Sequence, residues 1–229
     1  WGYVVGYQSG MISTFGGHDD QFVGASELLF DNNMGETEIS LGGPLDQSYG
    51  RRVRGGKNDY LINLGFNISD FLYIGANLGI TSMNYSYDEY FKEVAVDPSD
   101  FEIALDNGQT MYFNNMKYKY SYSTSTSGVY GKFGFILTPG MGLRIGAAIQ
   151  TPTATTVNEY WQMGGETTYT DNGFNASADS PEGEDRYRFR EPWRANFGAA
   201  YTLGKLAVFS VDYELCKYGN MKFRRNGFD

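Results

Sequence analysis

Cysteine, histidine and proline are scarce in this chain: one Cys, one His and 6 Pro among 229 residues. The lone Cys216 excludes an intrachain disulfide. The lone His18 sits in GGHDD beside Asp19 and Asp20, and adjacent residues do not assemble a catalytic triad by themselves. His18 and Cys216 are far apart in sequence, so no zinc-ligand cluster is expected. Positive charge is also short. The 18 Lys and Arg face 27 Asp and Glu, a net charge of −9 that repels phosphate backbones and argues against nucleic acid. No run of about twenty apolar residues exists, so no helical membrane span is expected. The glycines follow strand parity, and no phosphate-binding loop appears among them. No enzyme activity, cofactor or metal is expected from this inventory.

Aromatic residues and glycine are plentiful: 19 Tyr, 16 Phe and 30 Gly. With so little proline, that composition favours sheets over helices. The period of two confirms the preference. In FLYIGANLGITSMNYSY, Leu72, Ile74, Ala76, Leu78 and Ile80 share one parity, and Tyr73, Gly75, Asn77, Gly79 and Thr81 the other. Tyr60–Ile68, Val129–Leu137, Leu143–Ile149, Trp193–Tyr201 and Phe209–Leu215 alternate in the same way. About seven strands are expected, at 1–9, 57–68, 71–87, 117–137, 141–163, 186–202 and 205–223. NISDF, LTPGMG and TLGKLA read as tight turns. The other connections, 11–57, 88–116 and 165–185, read as long, polar and irregular. The acidic loops at 88–108 and 179–191 read as solvated surface, with a cation held between carboxylates as the sharper option.

An alternating meander suits a soluble sandwich with its apolar face inward, or a membrane barrel with that face in lipid. Long strands, short turns on one side with long loops on the other, and strand-end aromatics such as Tyr85, Tyr87, Tyr120, Trp161 and Trp193 favour the barrel. Polar-face charges at mid-strand, namely Lys132, Arg144, Arg194, Asp212 and Glu214, point the same way. They are expected to face a lumen and to pair across neighbouring strands. Cys216 is placed on the outward parity as a small apolar residue. Apolar side chains inside the long loops mark a candidate ligand groove. They are Phe22, Val23, Leu28, Leu29 and Phe30, read as a short amphipathic helix, with Met111, Tyr112 and Phe113 in a second loop.

The stretches GFNISDFLYIGANLGITSMNYS, LRIGAAIQTPTATTVNEYW and REPWRANFGAAYTLGKLAVFSVDYELCKYGNMKF resemble, in that order, the FadL/TodX family. The likeness covers roughly 58–87 and 120–223 and has the look of a Bacteroidetes-type member. It implies a fourteen-stranded outer-membrane barrel plugged by an N-terminal hatch. It also implies passive uptake of hydrophobic small molecules such as long-chain fatty acids, with outer-membrane lipid as the surroundings and no cofactor. Both the hatch and about half the strands lie outside this chain, which reads as an internal piece of a longer protein forming one barrel portion over 1–229. A secretion-accessory barrel of the type IX system shares the family fold and is the alternative. A soluble extracellular β-sandwich that binds ligands is the second.

Overall fold

A computed structural model describes residues 1–15, 18–31, 36–105 and 107–225. In chain order come helix α1 (Gly2–Gln8) and strands β1 (Ile12–Phe15), β2 (His18–Gly24), β3 (Glu27–Asp31) and β4 (Thr37–Leu41). Next are β5 (Leu45–Ile68), β6 (Leu72–Ala95), β7 (Glu102–Ala104), β8 (Thr110–Gly140), β9 (Leu143–Gln150) and β10 (Ala154–Tyr169). The last are β11 (Ala176–Asp179), β12 (Gly183–Arg190), β13 (Arg194–Leu203), β14 (Ala207–Cys216) and β15 (Lys222–Arg225). The chain is therefore all-β and antiparallel, as expected. Strands β1–β2 and β3–β4 are separate pairs, and the rest form one 11-stranded sheet. Among the described residues the sheet does not close: β5 pairs with β6 alone and β14 with β13 alone.

The three tight turns fall where the sequence places them. Ser69 and Asp70 both take positive φ between β5 and β6. Asn67 stabilises that turn by accepting the Asp70 N–H at 3.0 Å. Met141 and Gly142 turn β8 into β9, and Gly204 lies between β13 and β14, all at positive φ. Two expected strands are interrupted instead. Thr151–Pro152–Thr153 separates β9 from β10, and Glu191–Pro192–Trp193 separates β12 from β13. Proline has no N–H for the ladder, so each run ends there.

Four expectations are corrected. Residues 1–9 are not a strand; Gly2–Gln8 is helical. The described part of the expected helix at 21–33, residues 21–31, is not helical: β2 and β3 meet at a turn on Ala25 and Ser26. Met111, Tyr112 and Phe113 belong to β8 and not to a loop. The supposedly irregular stretches at 11–57 and 88–116 hold β1–β4 and long extensions of β5, β6 and β8.

The chain divides into two compact units. The first comprises Trp1–Arg54, Ser86–Ser123 and Tyr160–Gly183. Its core is Ala25, Ala95, Phe101, Phe113 and Tyr169, with Met111 and Ile103 packed against it. The Phe113 ring stands edge-on to Tyr169 at 6.4 Å and lies 5.7 Å from Phe101. The buried carboxylate of Glu93 accepts hydrogen bonds from Gln47 Nε2 at 2.7 Å and Ser26 Oγ at 3.1 Å, which ties the β2–β3 turn to β5 and β6. The chain after α1 lies over β10: a Cβ on Gly165 would sit 2.5 Å from Ser9 Oγ and 2.7 Å from Met11 Cε.

Tyr169 donates its hydroxyl to the Gly10 carbonyl at 3.2 Å, and burial raises its pKa above the ordinary 10.0. Folding therefore favours the protonated phenol. That contribution is complete below about pH 10 and is lost as pH rises through the higher folded value. The urea midpoint should fall between about pH 9 and pH 11, and the fall should be shallower in Tyr169→Phe. Equal slopes in the two proteins would remove Tyr169 as a cause.

The second unit comprises Gly55–Tyr85, Thr124–Glu159 and Glu184–Asp229. Here the aliphatic parity is the exposed one. Ile80 is 44% exposed while its neighbour Thr81 is 8% exposed. The registers align this apolar parity across strands: Phe133↔Ile149 and Phe135↔Ala147 on β8–β9, Phe197↔Ala147 on β13–β9, Phe197↔Tyr213 and Ala199↔Val211 on β13–β14. Glycine permits close packing on the opposite face, where a Cβ on Gly128 would meet Thr155 Oγ1 at 2.8 Å and Thr81 Cγ2 at 3.1 Å.

Candidate functional site

The polar face of the second unit gathers the charges expected there. The registers Lys132↔Gln150 and Gln150↔Arg194 put these three in one cross-strand row. Asn196↔Glu214, Gly198↔Asp212 and Ala200↔Arg144 put the others on the same face. The expected pairing does not occur: among the described residues none of these charges forms an ion pair. Arg194 Nε is buried without a hydrogen-bond partner, and the Asp212 carboxylate leans over the bare Cα of Gly198. Cys216 pairs with Arg194, which corrects its assignment: it shares the polar face and not the outward one. A groove of about 400 Å³ opens on this unit, with Lys132, Asn77 and Asn196 beside Gly75, Gly134, Gly146 and Ala148. Small side chains leave that space, and its walls are mainly apolar.

The predicted loop residues, all in the first unit, divide into two groups. Val23, Met111 and Phe113 turn into the core or pack against it. Leu28 and Tyr112 are half-buried. Phe22, Leu29 and Phe30 remain exposed. Leu29 faces Ile39 across β3–β4, and Phe22 lies 6.0 Å from Tyr3. Trp1, and Tyr3 and Tyr7 of α1, are exposed as well. Sequence reading missed them as part of this patch because it assigned them to a strand. Their signal is the i, i+4 spacing of Tyr3 and Tyr7. The side chains of His18, Asp19 and Asp20 lie outside the described residues.

A second feature of the first unit combines tyrosines and charge. The Arg51 guanidinium sits 4.6 Å over the Tyr87 ring, which in turn lies 5.6 Å from Tyr120 and 5.4 Å from Tyr122. Burial pushes Tyr118 and Tyr120 up from the ordinary phenol range. Tyr49 donates to Glu89 at 2.9 Å, and that bond raises Tyr49 too. Close by is a cavity of about 600 Å³ lined in part by Arg52, Asp88, Lys117 and Asp179. In the acidic loop, Asp97 accepts from Ser99 Oγ at 2.7 Å and from its N–H at 3.0 Å, and these bonds hold its carboxyl below the ordinary range. Among the described residues no three His, Cys, Asp or Glu side chains converge to hold a metal ion.

No protein-family model and no curated protein matches the chain.

Proposed function

We propose that this chain is part of an outer-membrane β-barrel that lets hydrophobic small molecules, such as fatty acids, cross passively. One observation carries the reading. The aliphatic and aromatic parity of β8, β9, β13 and β14 is exposed, while glycine, threonine, asparagine and the isolated charges occupy the other face. Water alone gives no reason to expose such a contiguous apolar face, whereas hydrocarbon does. The open edges at β5 and β14 suit a sheet that continues into further strands. The FadL/TodX resemblance agrees with this arrangement. In this reading Phe22, Leu29, Phe30 and the α1 aromatics are one candidate contact for the hydrophobic molecule, and the small-residue groove beside Lys132 is another.

The test is native mass spectrometry of the full-length protein extracted in mild detergent. A co-purifying fatty acid or hydrocarbon is the expected result, and a lipid-free barrel bound to a partner protein would favour the secretion-accessory alternative. Replacing Phe22 and Leu29 together by Asp should reduce uptake of a labelled fatty acid at least tenfold with the barrel still folded. Both side chains are exposed, so folding has little to lose from the change. Unchanged uptake would remove this patch from the route.

A further inference from the structure

The edge formed by β12 and β15 has an unusual register. Arg188 lies directly opposite Arg224, and Arg190 directly opposite Lys222. Like charges so placed repel across a sheet. Arg186 extends the stripe on β12 at the same parity, where Glu184 is the acidic residue. All five cations are exposed, and among the described residues none forms an ion pair. Arg225, of the opposite parity, does pair, with Asp185 at 3.0 Å. The stripe is thus basic on balance, five cations to one Glu on that parity, in a chain of net charge −9.

The stripe's face follows from its neighbours. Tyr187 donates to Glu159 at 2.8 Å. Glu159 shares the parity of Thr155 on β10, and Thr155 meets Thr81 around Gly128 on the polar face. The arginines alternate with Tyr187, so they stand on the exposed apolar face. Their level is also defined. The Glu191 N–H, just past β12, donates to the Thr153 carbonyl at 3.0 Å, and the Thr151 N–H donates to Gly131 at 2.9 Å. Gly131 lies between the exposed Val129 and Phe133. The cations thus begin at the border of the apolar face. A cavity of about 390 Å³ sits at this border, where Arg190 and Lys222 stand beside Trp193, Met221 and Glu191.

We propose that this stripe binds the phosphate groups of an anionic membrane lipid, whose acyl chains lie on the adjoining apolar face. The inference rests on the membrane reading given above. Guanidinium forks match phosphate oxygens in pairs, and tryptophan favours the headgroup level. A cation at a membrane surface contributes about fivefold in affinity for anionic lipid.

The test uses the full-length protein in detergent, with phosphatidylglycerol, phosphatidylcholine or inorganic phosphate added, read by native mass spectrometry. Phosphatidylglycerol adducts should exceed phosphatidylcholine adducts at least tenfold. The preference should fall about fivefold for each arginine removed in Arg188→Gln and Arg190→Gln. Arg225→Gln, on the other face, should leave it unchanged. Equal adducts of the two lipids on a barrel that needs detergent would overturn this inference alone. So would an unchanged preference in the Arg188 and Arg190 variants, a loss in Arg225→Gln, or displacement of the lipid by inorganic phosphate at equal concentration. A protein that stays in solution without detergent would overturn both this inference and the membrane reading.

Discussion

Val211→Arg should destabilise the protein in a bilayer by about 2–4 kcal/mol, whereas Ser210→Arg, one residue away, should cost less than about 1 kcal/mol. The two positions share strand β14 and differ in the face they present. Val211 aligns with Ala199 on the apolar parity and is 69% exposed, while Ser210 aligns with Ala200 on the polar one. An arginine in hydrocarbon must shed its hydration or distort the bilayer, and one on a wet interior face need do neither. The penalty should also depend on depth. Leu206, in the turn between β13 and β14, is 87% exposed and should tolerate arginine at about 0–1 kcal/mol. Reversible urea unfolding in lipid vesicles, followed by tryptophan fluorescence, measures all three variants. Equal costs at 210 and 211 would mean that the two faces see the same solvent. A soluble sandwich would also penalise Val211→Arg, because the apolar face would then be its core, but it would do so in plain buffer with no lipid present.

The parts of the fold that were legible in the sequence are those where local chemistry and side-chain period agree. Asn67 accepts the Asp70 N–H in the Ser69–Asp70 turn, Gly140 and Gly142 take positive φ on either side of Met141, and the flanking runs alternate cleanly. The N-terminal segment defeats the same rule. Tyr3, Val5 and Tyr7 alternate as a strand would, but a 7-residue helix is too short for propensity to decide. Tertiary contact decides instead, through the burial of Val5 and Gly6. Phe22 to Phe30 misled for a related reason: the Ala25–Ser26 turn is announced only by Gly24 beside it, and the apolar residues on either side fit a helical spacing as well as two strands. The extension of β5 through residues 45–56 was invisible because most of its residues are charged, polar or glycine, and pairing with β6 carries it without an apolar alternation. Among the candidate site residues, the polar-face charges were readable from parity alone. Their lack of ion pairs was not, since register sets the face while rotamers and spacing set the contact.

Phe113 exposes the limit of reading exposed grease from composition, and its replacement should show that in one measurement. Phe113→Ala should cost about 3–5 kcal/mol, the range for emptying a large aromatic site in a packed core. The side chain is 0% exposed, with Phe101 and Tyr169 against it, and its N–H donates to the Phe101 carbonyl at 3.2 Å. Phe30→Ala, at a position 49% exposed, should stay within about 0.5 kcal/mol. Amide exchange should accelerate around β7 and the β2–β3 turn, because Phe101 and Ala25 belong to the cluster Phe113 anchors. Uptake corrected for the amount of folded protein then separates stability from ligand contact. A core residue loses folded protein and keeps uptake per folded molecule, whereas the Phe22 and Leu29 pair should do the reverse. If Phe113→Ala left stability intact and abolished uptake, Phe113 would contact the ligand, and the packed cluster would be the wrong account of the first unit.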